Sequence, residues 1–214
     1  PVEYQIPGIN QVQMHDEIGL DFTSSLRSIL RQDPDVLLIG EIRDKETADI
    51  AVKFSLTGHL VFSTVHANDA PSTIARLLDL GVPPFLLGSS LNLIMAQRLV
   101  RTIDSSAKEE YKPEQSELQL IDFPKDKVGS TKFYQGVPKS SNHNTGYKGR
   151  TAIHEILEVN SDMRQMIFEG ENQNKIKELA VKNGMTPLRD AGIEKIKTGV
   201  TTIEEIVRAT VEDI

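Results

Sequence analysis

The sequence predicts an α/β fold built on a parallel sheet, and three consecutive segments support this. Val36 to Ile39 form a run of four apolar residues, which is typical of a strand buried on both faces. A helix follows from Asp44 to about Thr57, and a second predicted strand from Leu60 to Val65 completes a β-α-β unit. Because parallel strands joined in this way end at the same sheet edge, we expect the residues that follow each strand to lie together.

Further elements flank this unit. Residues 11–14 are interpreted as a short strand, and Asp21 as the cap of a helix. After the second strand, a helix capped by Asn68 or Asp69 closes at Gly81. The Pro83-Pro84 pair suits the first turn of another helix, which we expect to run to about Leu99.

The composition changes between Thr102 and Gly149, where Ser, Lys, Glu, Asp, Gly, Pro and Asn dominate. This favours an inserted linker or subdomain, with residues 132–135 and 150–157 as candidates for an antiparallel ribbon. After Leu157 we expect four short helices. The last of them follows a predicted capping box, Thr202-x-x-Glu205.

Polar residues follow both strands of the β-α-β unit. Glu41 comes just after the first strand, and a carboxylate there can orient an attacking water or the shell of a magnesium ion. A solvated glutamate at a strand end is the plainer alternative. His66 follows the second strand and could bind a terminal phosphate, although a lone histidine more commonly caps or packs.

Charge and hydropathy exclude several classes of protein. The net charge is −7, which argues against a nucleic-acid binder. No apolar run approaches the ~18 residues of a membrane span, and the first residues do not resemble a signal peptide. The absence of cysteine excludes disulfides and fits a cytoplasmic protein.

Five separated motifs stand out along the chain. They are GEIRD (40–44), TGHLVFSTVHANDA (57–70), MAQRLVR (95–101), GYKGRTAIHEIL (146–157) and TTIEEIVR (201–208). Together they closely resemble the hexameric ATPases that drive type II secretion and type IV pilus assembly. The resemblance runs from Pro1 to about Thr210 and is far more specific than a single pattern.

The resemblance implies a RecA-like nucleotide-binding fold of the P-loop class. The P-loop motif GxxxxGKS/T that holds phosphates in this family does not occur here. We therefore expect the C-terminal part of a larger ATPase, itself inactive when isolated. Its expected domains are the C-terminal half of the RecA-like core (1–101), an inserted subdomain (102–149), and a return strand with a C-terminal helical subdomain (150–214).

The resemblance also bears on zinc, because this insertion usually carries two CxxC pairs. The corresponding positions fall near Asp104, Ala107, Lys139 and Asn142. None of these residues is a thiolate, and alanine and lysine are not plausible zinc ligands. We expect no structural zinc.

Roles for five residues follow from the resemblance. Glu41 would be the general base or water-positioning residue of ATP hydrolysis, and His66 would contact the γ-phosphate and couple it to subunit rotation. Glu3, in what resembles the tail of the family's acidic box EDPVE, would help to hold Mg²⁺. Arg43 would pair with Glu41 or a nearby acid, and a purely structural salt bridge is the alternative. Arg150 would contact nucleotide or an adjoining subunit, or would be a solvated cation at a strand start.

The resemblance implies a homo-hexamer that uses ATP and Mg²⁺ and docks on inner-membrane platform proteins at the cytoplasmic face. A non-catalytic oligomerisation or docking module of a secretion apparatus is the alternative. Another RecA-like hexamer, such as a DNA translocase, is a third hypothesis. The acidic charge and the TGHLVFSTVHAND motif argue against that third hypothesis.

Overall fold

The computed structural model describes residues 2–210, which form nine α-helices and six β-strands. The helices are α1 (Phe22–Leu30), α2 (Lys45–Leu56), α3 (Ala70–Asp79), α4 (Pro84–Ser90), α5 (Gln115–Leu120), α6 (Ser161–Phe168), α7 (Gln173–Lys182), α8 (Leu188–Lys197) and α9 (Ile203–Thr210). The strands are β1 (Val36–Ile39), β2 (Leu60–Ser63), β3 (Leu93–Ile103), β4 (Lys108–Tyr111), β5 (Phe133–Gly136) and β6 (Tyr147–Glu158). They pair as β1 with β2, β3 with β6 and β4 with β5, so the predicted α/β class is confirmed.

The β1-α2-β2 unit folds as the sequence predicts. The two strands run parallel, with Val36 opposite Leu60 at the start of the register. The carboxylate of Asp44 accepts a hydrogen bond from the amide of Thr47 at 2.8 Å and so caps α2. The chain leaves the helix through Gly58, whose φ of 98° favours glycine.

The prediction that β1 is buried on both faces is wrong for the described chain. Leu37 and Ile39 are buried, whereas Val36 and Leu38 are 55% and 73% exposed. Phe62 in β2 is also exposed, at 52%. Alternate side chains of a strand point to opposite faces, so one face of this sheet packs against its own unit and the other is open.

The prediction of one helix from Pro83 to Leu99 is wrong beyond Ser90. The chain then forms β3, an eleven-residue strand that pairs antiparallel with β6, starting with Leu93 opposite Glu158. The segment contains leucine, methionine, alanine, glutamine and arginine, which favour helices in isolation. Pairing with a twelve-residue partner strand outweighs that local preference.

Two other strand predictions are also wrong. Residues 11–14 form no strand in the described chain, and an isolated bridge joins His15 and Leu20 instead. Residues 132–135 do not pair with 150–157, because β5 pairs with β4 and β6 pairs with β3. The choice between possible strand partners depends on the packing of the whole unit, which a local pattern does not contain.

The chain folds into two compact units. The first comprises residues 2–67, 72–92 and 159–176, and the second 68–71, 93–158 and 177–210. The predicted domain limits after residues 101 and 149 stay predictions, while the four helices expected after Leu157 are confirmed as α6 to α9. No helix among the described residues is long and apolar enough to cross a bilayer. The second unit has a core cluster of Val100, Ile121, Phe123, Phe133, Ile153, Leu188, Ile193, Ile196, Ile203 and Ile206.

Candidate active site

Glu41 and His66 lie side by side, each just beyond a strand of the parallel sheet. The amide of Ile42 donates to the carbonyl oxygen of Thr64 at 2.9 Å, so the pairing continues past β1 and β2. The Thr64 hydroxyl donates to the carbonyl oxygen of Gly40 at 2.7 Å. These contacts bring His66 Nε2 to 2.9 Å from Glu41 Oε1. The two side chains meet at the sheet edge as expected, while their catalytic roles stay predictions.

Arg43 binds the other oxygen of the same carboxylate. Its Nε and Nη2 atoms both lie 2.6 Å from Glu41 Oε2. The side chain of Glu41 is 15% exposed, whereas those of Arg43 and His66 are 74% and 89% exposed. A carboxylate is only an acceptor, so His66 contributes an Nε2–H to this contact. Both partners of Glu41 are therefore open to solvent and can exchange it for another acceptor.

The other two predicted site residues, Glu3 and Arg150, are both exposed. Glu3 is exposed, and its side chain forms no ion pair or hydrogen bond within residues 2–210. Arg150 is exposed in β6, opposite Arg101. It does not lie at the start of the strand, because β6 already begins at Tyr147. The functions of Glu3 and Arg150 stay predictions.

The positions at which the resemblance places cysteines form a hydrogen-bonded polar cluster. The side-chain amide of Asn142 donates to Asp104 at 3.2 Å, and its oxygen accepts from the backbone amide of Lys139 at 2.8 Å. The Ser106 hydroxyl and amide donate to Asp104 and lower the pKa of its carboxyl. Ala107 is buried. Within the described part of the chain, no group of three or more His, Cys, Asp or Glu residues could hold a metal ion.

The same region contains a close approach of two backbones. A Cβ atom added to Gly136 would collide with the main chain of Gly146, and one added to Gly146 would collide with the main chain of Gly136. Only glycine therefore fits at either position.

Two buried carboxylates were missed by the sequence reasoning. Glu205 was expected in a capping box, and its amide does donate to Thr202 Oγ1, at 3.3 Å. Its carboxylate instead binds the guanidinium groups of Arg101 and Arg208. Glu155 lies on β6 and binds two backbone amides. No signal in the sequence distinguished these glutamates, because Arg101 and the two amides bound by Glu155 lie far away in the chain and only Arg208 is a local partner.

Comparisons with known proteins identify the family of this chain. The family model described as "Type II/IV secretion system protein" matches residues 1–208. The type IV pilus assembly ATPase PilB of Myxococcus xanthus is 48% identical over 217 residues, which cover 100% of this chain and 38% of that protein. The type II secretion system ATPase E of Vibrio cholerae is 44% identical over 212 residues, covering 99% of this chain and 42% of that protein.

Solved structures show the same fold. The crystal structure of the pilus retraction motor PilT with bound ADP has a TM-score of 0.62 and 27% identity, and the match covers 90% of this chain and 44% of that one. The ATPase DotB of Legionella pneumophila has a TM-score of 0.58 at 20% identity, with 87% of this chain and 41% of that chain covered.

The chain spans about two fifths of the length of the PilB and ATPase E relatives described above. From its family match over nearly its whole length, the chain belongs to the type II/IV secretion system protein family.

Proposed function

We propose that this chain is the part of a motor ATPase that carries the catalytic carboxylate, in a protein that hydrolyses ATP to power type II secretion or type IV pilus assembly. The observation that supports this most directly is the cluster of Glu41, His66 and Arg43 at the edge of a parallel sheet. The names of the relatives, a pilus assembly ATPase and a secretion ATPase, point the same way.

Glu41 orients the attacking water and accepts its proton. Arg43 fixes the direction of the carboxylate by binding one oxygen with two nitrogens. The second oxygen, Oε1, faces His66. When His66 donates instead to a phosphoryl oxygen, Oε1 is released and can accept a hydrogen bond from water. Through this exchange, Glu41 would be free to act as a base only when a terminal phosphate is bound.

ATP and Mg²⁺ are the proposed cofactors, and the residues of this chain account for only part of their binding site. Glu41 and His66 suit the terminal phosphate, and Glu3 is a candidate for the magnesium shell. The 214 residues contain no GxxxxGKS/T motif, so another segment must supply the amides and lysine that hold the phosphates. Arg150 is exposed and available to nucleotide or to an adjoining subunit. No zinc is proposed.

The working assembly would be a homo-hexamer bound to inner-membrane platform proteins at the cytoplasmic face, without a direct membrane span and without nucleic acid. Residues 1–101 would carry the catalytic edge, 102–149 the insertion, and 150–214 the return strand and helical contacts between subunits. The alternative is a non-catalytic oligomerisation or docking module. The lack of the phosphate-binding motif in these residues favours that alternative for the chain in isolation.

Steady-state ATP hydrolysis tests the proposal. The chain alone is compared with the chain joined to the corresponding upstream segment that carries GxxxxGKS/T, each as wild type and as Glu41→Gln. We expect activity only in the extended protein. Its kcat should fall at least about a hundredfold in Glu41→Gln while ATP still binds.

Glu46→Gln is the matched control, because Glu46 forms an exposed surface pair with Arg27 at 2.8 Å. Its kcat should stay within about twofold of the wild type. An extended protein that is inactive even at concentrations where it forms hexamers would overturn the proposal and leave the docking module.

A further inference from the structure

Glu155 is a buried carboxylate that binds the first backbone amides of two helices. It lies on β6 and is 1% exposed. Its Oε1 accepts from the amide of Ala70 at 2.8 Å, and its Oε2 from the amide of Leu188 at 3.0 Å. Ala70 is the first residue of α3 and Leu188 the first residue of α8. One side chain therefore caps both helices.

This arrangement compensates a charge that would otherwise be costly to bury. The first amides of a helix have no acceptor within the helix, and the helix start carries a partial positive charge. A carboxylate buried without hydrogen bonds is strongly unfavourable, so each oxygen needs its own donor. Because the two oxygens belong to one rigid planar group, the starts of α3 and α8 cannot separate without leaving a buried polar atom unpaired.

Two more charged side chains hold the residues just before α3. Arg98 Nη2, on β3, donates to the carbonyl oxygen of Asn68 at 2.9 Å. Lys177 Nζ, on α7, lies 3.2 Å from Asp69 Oδ2, and Asp69 is itself buried. The stretch Asn68–Ala70 is thus fixed at three consecutive residues by side chains from three different elements.

We propose that Glu155 is the positioning residue that couples the proposed phosphate contact of His66 to helix α8. The inference rests on the proposed function of His66. Only Ala67 separates His66 from the fixed stretch, so a shift of His66 pulls on Asn68 to Ala70. Glu155 passes that displacement to the start of α8, which packs against α9 in the core of the second unit.

We call the link that Glu155 forms between the starts of α3 and α8 the joint. It is tested by amide hydrogen exchange on this chain without nucleotide. Glu155→Gln keeps the shape but has one acceptor oxygen, and its NH₂ would face the second amide. We expect the amide of Ala70 or of Leu188 to exchange at least about tenfold faster. Glu158→Gln, an exposed glutamate on the same strand, should leave both rates unchanged. Unchanged rates at both amides in Glu155→Gln would overturn the joint.

A second variant guards against a failure to fold. Glu155→Asp keeps the charge but is one methylene shorter, so it cannot span both amides. It should also speed exchange at one helix start. Lys177→Met, which removes only the contact to Asp69, should affect residues 68–70 and spare α8. Faster exchange at α8 in Lys177→Met would mean that Glu155 is not the specific link.

The coupling is tested in the extended protein with the ATP analogue AMP-PNP. We expect the analogue to change exchange at the start of α8 in the wild type and in Glu158→Gln, but not in Glu155→Gln. The KM for ATP should stay within about threefold while kcat falls about tenfold, since the binding groups are untouched. An equal response of α8 in Glu155→Gln would overturn the coupling. An extended wild type that neither binds nor hydrolyses ATP would refute the proposed function instead, and the exchange result without nucleotide would still decide whether the joint exists.

Discussion

Glu41 and Glu205 carry the same side chain and both bind arginine, but their surroundings differ. The partners of Glu41 are 74% and 89% exposed and come from residues close to the sheet edge. Glu205 is fully buried. Its oxygens accept from Arg101 Nε at 2.8 Å, from the Arg101 backbone amide at 2.6 Å and from Arg208 Nη2 at 2.7 Å.

The contrast in exposure separates a carboxylate whose partners can exchange from one whose partners are fixed. An ion pair with exposed partners contributes little to stability, so its partners can change during a reaction. A carboxylate buried among fixed donors is strongly destabilised when any of them leaves. The Tyr147 ring, 4.1 Å from the Arg101 guanidinium carbon, further restricts the buried cluster.

The largest expected effect is on stability at the buried cluster. Glu205→Gln should lower the free energy of unfolding by about 3 kcal/mol, the lower end for a broken buried ion pair, because both arginines are partly exposed and can be hydrated. Urea denaturation measures this. Glu204→Gln, at the exposed neighbouring position, should stay within about 0.5 kcal/mol of the wild type. An equally small loss in Glu205→Gln and Glu204→Gln would show that the buried ion pairs of Glu205 stabilise the fold no more than an exposed residue does.

Acid should reveal the same contrast. Burial raises the pKa of Glu205, but hydrogen bonds from Arg208 and Arg101 outweigh it and lower the pKa to about 2, from 4.5. Because this pKa is lower in the folded than in the unfolded protein, the ionised carboxylate stabilises the fold at pH values above the unfolded-state pKa. This contribution is lost as the pH falls toward 2. The unfolding free energy should therefore drop between pH 4.5 and 2 more steeply in the wild type than in Glu205→Gln. Equal slopes in urea titrations across this range would contradict the assignment.

At the exposed cluster the expected effect is on rate. Arg43→Lys keeps a positive charge but replaces the guanidinium fork with a single ammonium group, which orients Glu41 less firmly. In the extended protein we expect kcat to fall about tenfold. Arg27→Lys, at the surface pair with Glu46, is the control and should change kcat less than twofold. A rate equal to that of the control would leave Arg43 as a surface salt bridge only.

The smallest effect is the stability change on removing the charge of Glu41. Glu41→Gln should alter the unfolding free energy of this chain by less than about 1 kcal/mol, because its partners are hydrated when they are released. Urea denaturation beside Glu205→Gln gives the comparison directly. A loss as large as that at Glu205 would show that Glu41 holds the fold together.

The exposed cluster could be predicted because its signal is local. Glu41 and His66 each come one or two residues after a predicted strand, and a parallel pair places strand ends together. The buried clusters could not be predicted in this way. Glu155 reaches Ala70 and Leu188, and Glu205 reaches Arg101, across long stretches of chain. Such partners become neighbours only after the strands have paired.

The wrong prediction for β3 has the same origin. Its residues favour a helix locally, and its strand conformation depends on β6, which starts at Tyr147. Residues 102–149 show a related limit of reasoning from the sequence. The resemblance located the four positions of the polar cluster, but the hydrogen bonds between Asp104 and Asn142 appear only in three dimensions.

The contact between the backbones of Gly136 and Gly146 restricts how this insertion can evolve. Exposed polar positions of residues 102–149 can accept substitutions easily, whereas Ile121, Phe123 and Phe133 are restricted by their place in the core cluster. At the two close-approach positions each lineage must keep glycine for a different reason, because the backbones leave no room for a Cβ atom. In a library that samples every residue of this segment, the two glycines should be as intolerant as the core residues although neither contributes a side chain to the core.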